Sequence, residues 1–296
     1  MTDETEHACG WSERWQTSAD GLRLFARDYA GVSGEAKLPV VLVHGLTRNS
    51  RDFEDLAPVI ASWGRRVIAP DVRGRGRSDR DPNPLNYHPG VYAADVAALL
   101  DKLGVARAQF LGTSMGGLIT MALATFRGEL IAGAVLNDVG PVIATEGLER
   151  ISAYVGQPAD VADWAGAAAY VKANNAHALP HYDDAAWARM ARRVFREGPD
   201  GRPELDYDLR IADAIRAAAG APAPDLWPYF DALATGRPLL VVRGATSDLL
   251  DAATVEAMRA RAPQVAAVEV PGVGHAPMLD EPEALAAIRA HLDAVP

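Results

Sequence analysis

The sequence predicts an α/β fold: an eight-stranded, mostly parallel sheet with helices on both faces and a helical insert after the sixth strand. Three observations lead there. Short apolar runs alternate with stretches of helical period along most of the 296 residues. A small-residue turn at Gly112–Gly117 joins one such run directly to a helix. The alternation then stops between about Ile143 and Tyr229, where alanine, tryptophan and arginine dominate and no buried strand is evident. Parallel strands need a crossover between them, and a helix is its usual form, so the alternation implies parallel pairing with helices on both faces.

Each element has a local reason. Trp11–Ser18 and Leu22–Tyr29 read as strands, and Asp20-Gly21 between them is a tight-turn pair, so a hairpin opens the chain. Val40–Val43 is a third strand, a helix follows near Asp52–Ser62, and Arg66–Ala69 is a fourth strand. Val91–Leu103 carries apolar residues at helical spacing, with Gly104 just past its end. Arg107–Leu111 is the fifth strand, Leu118–Phe126 the helix after it, and Ile131–Leu136 the sixth strand. The strands beginning at Pro238 and Val265 are the seventh and eighth, with a helix near Ala252–Arg261 between them and Pro282–His291 closing the chain. In the insert, helical pieces such as Val161–Ala173 and Asp184–Phe195 alternate with breaks containing Pro or Gly. The expected division is a core of residues 1–142 and 230–296 and a helical cap of residues 143–229.

Chemistry concentrates at three loops. Ser114 lies in Gly112-Thr113-Ser114-Met115-Gly116-Gly117, between a strand and a helix. A serine on such a corner is held with its hydroxyl above the sheet, and small neighbours let the turn close. The helix N-terminus also directs N–H groups and partial positive charge at a nearby oxyanion. A serine needs a base, and the base needs a group that fixes its tautomer. Asp248 follows the Pro238–Gly244 strand, and His275 lies in the glycine-rich loop Pro271-Gly272-Val273-Gly274-His275. Ligands of parallel α/β sheets bind beyond the carboxyl ends of the strands, where all three residues fall. Asp138, after the sixth strand, is the other acid in a position to serve. The reading favours Asp248 and gives Asp138 the role of shaping the turn into the insert.

The order Ser114, Asp248, His275 resembles that of the α/β-hydrolase fold family, in its capped serine esterase and lactonase branch. Three further segments are similar to family motifs: Pro39–Leu46 with His44-Gly45, Ala69–Asp79, and Gly272–Pro277. The resemblance spans about Leu22 to Leu292 apart from the insert, which falls where the family carries a cap. It implies a serine hydrolase cleaving a carboxylic ester or lactone through an acyl-enzyme, with no cofactor. It also implies an oxyanion hole of the Leu46 and Met115 backbone N–H groups, with His44 bracing its loop. The same family contains ring-fission carbon–carbon bond hydrolases, cofactor-free haloperoxidases and small-molecule receptors. The first group usually carries glycines and a proline after His-Gly, whereas this chain has Leu46-Thr47-Arg48-Asn49. Dehalogenases and epoxide hydrolases of this fold use an aspartate where this chain has Ser114.

Composition narrows the classes. Lys and Arg number 29 against 39 Asp and Glu, a net charge of −10, which argues against nucleic acid and anionic membranes as partners. The single cysteine, Cys9, excludes an internal disulfide. Met1–His7 is polar, so a cytoplasmic address is expected. Pro180 lies between His177 and His181 and no carboxylate falls in register with them, so no metal is expected. Arg73, Arg75 and Arg77 read as a structural loop. Arg48, Trp187, Trp227 and Met278 are the candidate pocket residues, and Trp164, Tyr170 and Tyr207 are aromatic residues of the insert that serve either core or pocket. The partner is a small-molecule ester or lactone; a homodimer is among the oligomeric states the sequence allows.

Overall fold

The computed structural model describes residues 10–32, 37–218 and 223–295. Cys9 and Met1–His7 lie outside the described residues. The eight strands of the main sheet are β1 (Trp11–Thr17), β2 (Arg23–Tyr29), β3 (Val40–Val43), β4 (Val67–Pro70), β5 (Ala108–Thr113), β6 (Ile131–Asn137), β9 (Leu239–Gly244) and β10 (Val265–Val270). They lie in the order β1-β2-β4-β3-β5-β6-β9-β10. The β1/β2 and β2/β4 pairs are antiparallel, and every pair from β4 to β10 is parallel. Every residue of β3, β4 and β6 is buried, as a strand covered by helices on both faces requires. The helices of the core are α1 (Leu56–Ser62), α2 (Pro89–Lys102), α3 (Met115–Arg127), α8 (Trp227–Ala234), α9 (Ala252–Arg261) and α10 (Pro282–Asp293).

Between β6 and β9 the chain forms α4 (Thr145–Tyr154), α5 (Trp164–Asn175), α6 (Asp184–Val194), a short hairpin of β7 (Phe195–Glu197) and β8 (Pro203–Leu205), and α7 (Ile211–Ala218). Asp163 and Asp183 cap α5 and α6 by accepting from the Gly166 and Ala186 amides. The hairpin is absent from the sequence reading, because three-residue strands carry too little alternation to register. Trp227–Tyr229, read as the end of the insert, instead opens α8, which packs on α3 of the core.

Where the sequence reading starts a helix at Asp52, the chain makes a 3₁₀ turn over Ser50–Phe53 before α1. The Asn49 side chain accepts from the Arg51 amide and Asp71 accepts from the Ser50 amide at 2.6 Å. Those bonds hold the turn beside the His44–Leu46 loop. Among the described residues no helix is long and apolar enough to cross a membrane.

One core histidine links the fold to pH. His291 on α10 is 9% exposed, and its Nε2 has no hydrogen-bond partner among the described residues. Burial pushes its pKa down to about 4, with Arg65 adding to the effect. Because the folded value lies below the unfolded one of about 6.5, the unfolded chain binds the extra proton between the two. Stability therefore falls as pH drops from about 6.5 towards 4, by at most about 3 kcal/mol from this group. Urea midpoints at pH 7 and pH 5 should move less in a His291→Gln variant than in the wild type. An identical shift in both would remove His291 from the account.

Candidate active site

The sheet brings one serine, one histidine and one aspartate into contact at its carboxyl edge. Ser114 sits between β5 and α3 with φ 51° and ψ −115°, a left-handed conformation costly for a residue with a Cβ. The surroundings force it. A Cβ at Gly112 would come within 2.4 Å of the Gly116 carbonyl, and one at Gly116 within 2.0 Å of the Val43 carbonyl oxygen. Only glycine at both places lets α3 start this close to β5 and β3. Ser114 occupies the N-cap position of α3, where a serine usually accepts from a helix amide, but its hydroxyl makes no capping bond. Its Oγ instead lies 3.0 Å from His275 Nε2.

His275 Nδ1 lies 2.8 Å from Asp138 Oδ2. This corrects the sequence reading, which paired the histidine with Asp248. Asp138 follows β6 directly and is fully buried with φ 56°. Its Oδ1 accepts from the Gly244 amide at 2.8 Å, and its Oδ2 also accepts from the Ser247 hydroxyl at 2.5 Å. Three donors thus fix one orientation of the carboxylate. Both oxygens of Asp248 are occupied by Arg150 on α4, with Nε at 2.5 Å and Nη2 at 2.8 Å. The Arg150 guanidinium holds the Asp248 carboxyl below the usual carboxylate range. With Nδ1–H donating to Asp138, Nε2 is left to accept the serine proton. Asn137 ties the two loops together, donating to Thr113 Oγ1 at 3.0 Å and to the Pro277 carbonyl at 2.9 Å.

Met115 opens α3, so its amide has no acceptor inside the helix. Among the described residues neither that amide nor the Leu46 amide donates to a protein acceptor. Arg75, fully buried, backs both. Its Nε donates to the Leu46 carbonyl at 2.9 Å, and its Nη2 lies 3.7 Å from the Met115 thioether. The ring of Tyr92 faces the guanidinium at 4.9 Å and its hydroxyl accepts from Nη1 at 2.8 Å. His44 is buried and uncharged: burial lowers its pKa, Nδ1 donates to the Gly45 carbonyl at 2.8 Å and Nε2 accepts from the Val72 amide at 3.2 Å. It braces its loop, as the sequence suggested. Arg73 and Arg77 hold structure in the same region, Arg73 bound by Asp20, Asp81 and Asp95, and Arg77 by Glu13.

A cavity of about 110 Å³ opens over Ser114 and His275. Arg48 and Met278 are among the residues that line it. Arg48 is held by Asp52 through a bidentate pair at 2.6–2.9 Å. Trp187 and Trp227 do not line it, which corrects the expectation for both. Trp187 is 2% exposed and packs on Tyr182, because α6 turns that face towards the other helices of the insert. Trp227 packs on Phe230 and under Arg261, because α8 belongs to the core layer. The insert's contribution includes Arg150, Tyr154, Tyr170 and Tyr207 instead. Tyr170 and Tyr207 stand out in sequence only as aromatic residues, and nothing local marks Arg150 or Tyr154. Trp164 lies under Arg192, away from this cavity. Among the described residues no cluster of His, Cys, Asp or Glu could hold a metal ion, and His177 and His181 form none.

Residues 40–288 match the model of the alpha/beta hydrolase family. The chain belongs to that family. An alpha/beta hydrolase from Novosphingobium aromaticivorans superposes with a TM-score of 0.90 at 48% identity, over 97% of this chain and 99% of that one. Among hydrolases with named substrates, the 3-hydroxybutyrate-oligomer hydrolase of Cupriavidus necator is 39% identical over 86% of this chain and 88% of its own length. The 2-(acetamidomethylene)succinate hydrolase of Mesorhizobium japonicum is 30% identical over 80% and 81%. This hydrolase aligns with both relatives over at least 80% of its own length.

Proposed function

We propose that this hydrolase cleaves small carboxylic esters through an acyl-enzyme formed on Ser114. The observation that carries the reading is the unbroken hydrogen-bonded line from Ser114 through His275 to Asp138 on the floor of a cavity. Ser114 Oγ attacks the ester carbonyl as His275 Nε2 takes its proton. Asp138 holds the imidazole and stabilises its charged form. The Leu46 and Met115 amides receive the oxyanion, with their loops held by Arg75. The protonated His275 then gives its proton to the leaving alkoxide. Water, activated by the same nitrogen, frees the acid. Each step uses a side chain, an amide or water, so the scheme needs no cofactor.

The small cavity favours a short acyl group, and the insert acts as a cap that excludes water and supplies the wall. The Cupriavidus relative's name, an oligomer of a hydroxy acid, supports an ester over the carbon–carbon, lactone and haloperoxidase readings. A cytoplasmic setting belongs to the same proposal, and a single cysteine, which can form no internal disulfide, is consistent with it.

A panel of short and long esters, lactones and vinylogous diketones, quenched during turnover and followed by mass spectrometry, tests the reading. Short esters should be consumed fastest, with the acyl mass on the peptide that contains Ser114. Rapid ester turnover with no Ser114 adduct under trapping conditions, or turnover confined to diketones, would overturn it.

A further inference from the structure

The cavity's charges are unevenly answered. Arg48 and Asp52 both line it and cancel each other. Arg150 also lines it, but its counter-ion Asp248 does not, and lies behind the wall. Asp248 occupies Nε and Nη2 of Arg150, while Nη1 has no acceptor among the described residues. A guanidinium pinned along one edge presents its remaining donors as a fixed fork, the geometry that suits a carboxylate. The pair is not needed as a strap. Backbone bonds from Gly147 to the Asp248 carbonyl and from Ala144 to the Leu249 carbonyl, both 2.9 Å, already tie α4 to this loop.

The position of Arg150 says which part of an ester it would meet. Ser247 donates to Asp138, the carboxylate that holds His275, and the next residue, Asp248, holds Arg150. Arg150 therefore stands on the histidine side of the serine. His275 must reach the leaving oxygen, so the alcohol half of the ester lies on that side.

Building on the assignment of Ser114 as the ester-cleaving nucleophile, we infer that Arg150 anchors a free carboxylate on the leaving half of the substrate. The substrate class is then an ester whose alcohol is itself a hydroxy acid, and an oligomer is cut at its carboxyl-terminal ester bond. In that step the Ser114 Oγ–carbon bond forms and the ester carbon–oxygen bond breaks. The serine proton passes by way of His275 to the departing oxygen, and the free hydroxy acid leaves with its carboxylate still ionised. Water then cleaves the acyl-enzyme and restores Ser114, releasing the shortened chain.

The test compares the linear dimer of 3-hydroxybutyrate with its neutral carboxamide, using the full chain. The wild type should prefer the free acid by roughly 10- to 100-fold in kcat/KM, expressed mainly in KM. Arg150→Gln should bring that ratio close to one, and Arg150→Lys should keep part of it. A trimer labelled with carbon-13 in its carboxyl-terminal unit should release labelled monomer first. Equal use of acid and amide by the wild type, a preference that survives Arg150→Gln, or release of unlabelled monomer first would each overturn the inference. If Arg150→Gln does not fold, inhibition of p-nitrophenyl acetate hydrolysis by 3-hydroxybutyrate and by its amide decides. The acid should compete at concentrations at least about tenfold lower, and equal potency would overturn the inference. Turnover of p-nitrophenyl acetate with refusal of both dimers would sink this inference alone. Failure on every ester would sink the ester reading with it.

Discussion

Ser114→Ala should leave the melting temperature within a few degrees of the wild type and lower kcat on short esters by on the order of 10⁶, about 8 kcal/mol. The fold survives because Oγ makes no capping bond to α3 and, among the described residues, hydrogen-bonds only to His275. Alanine also keeps the Cβ that the φ of 51° already tolerates. The rate collapses because, among the described residues, Ser114 Oγ is the hydroxyl hydrogen-bonded to His275 Nε2. What remains is the contribution of the amides and the pocket. Purified variant, checked for wild-type contamination and assayed at saturating ester, gives the number. Retention of more than about a tenth of wild-type turnover would exclude an acyl-serine route, given the 10⁶ expected.

The second large effect separates two aspartates. Asp138→Asn should cost on the order of 10⁴ in kcat. An asparagine can offer His275 an amide N–H in place of a carboxylate oxygen, which favours the tautomer with its proton on Nε2, facing Ser114. It also loses the charge that stabilises the imidazolium. Asp248→Asn should cost far less on neutral esters, because Asp248 touches Arg150 and not His275. Its cost should appear in KM for substrates bearing a carboxylate, since Arg150 would lose its anchor. Measuring both variants on a neutral and an acidic ester gives a two-by-two comparison. If Asp248→Asn proves the more damaging on the neutral ester, the hydrogen-bonded line to Asp138 is not the catalytic one.

The second prediction falls where sequence reading and structure part. Both aspartates follow a strand, and both satisfy the order serine, aspartate, histidine. They also end up close together, because β6 and β9 are neighbours in the sheet. What distinguishes them is short-range and three-dimensional. Asp138 comes directly after the last residue of β6, where the Gly244 amide and Ser247 hydroxyl converge on it. Asp248 lies further along its loop, where Arg150 arrives from α4. A side chain from a helix about a hundred residues away in sequence cannot be anticipated from either loop.

The pocket walls show the same division. Trp187 and Trp227 are the conspicuous large residues of the insert, yet size by itself says only that a residue will be buried somewhere. The faces that α6 and α8 turn inward are set by their neighbours, and those faces carry both tryptophans into packing away from Ser114. Arg150 and Tyr154 reach the cavity because α4 lies across the strand ends, an orientation fixed by its bonds to the β9 loop.

The sequence by itself determined the sheet, the serine corner and the histidine loop. Each is a local matter: buried apolar runs of strand length, glycines at 112 and 116 that alone permit the close turn, and a glycine-rich segment after β10. The tertiary structure decided which acid serves the histidine, which side chains wall the cavity and which cation there takes its counter-ion from behind the wall. Those depend on contacts between segments distant in the chain. Hydrogen bonds and ion pairs at a few ångströms are settled only when sheet order and insert placement bring those segments together.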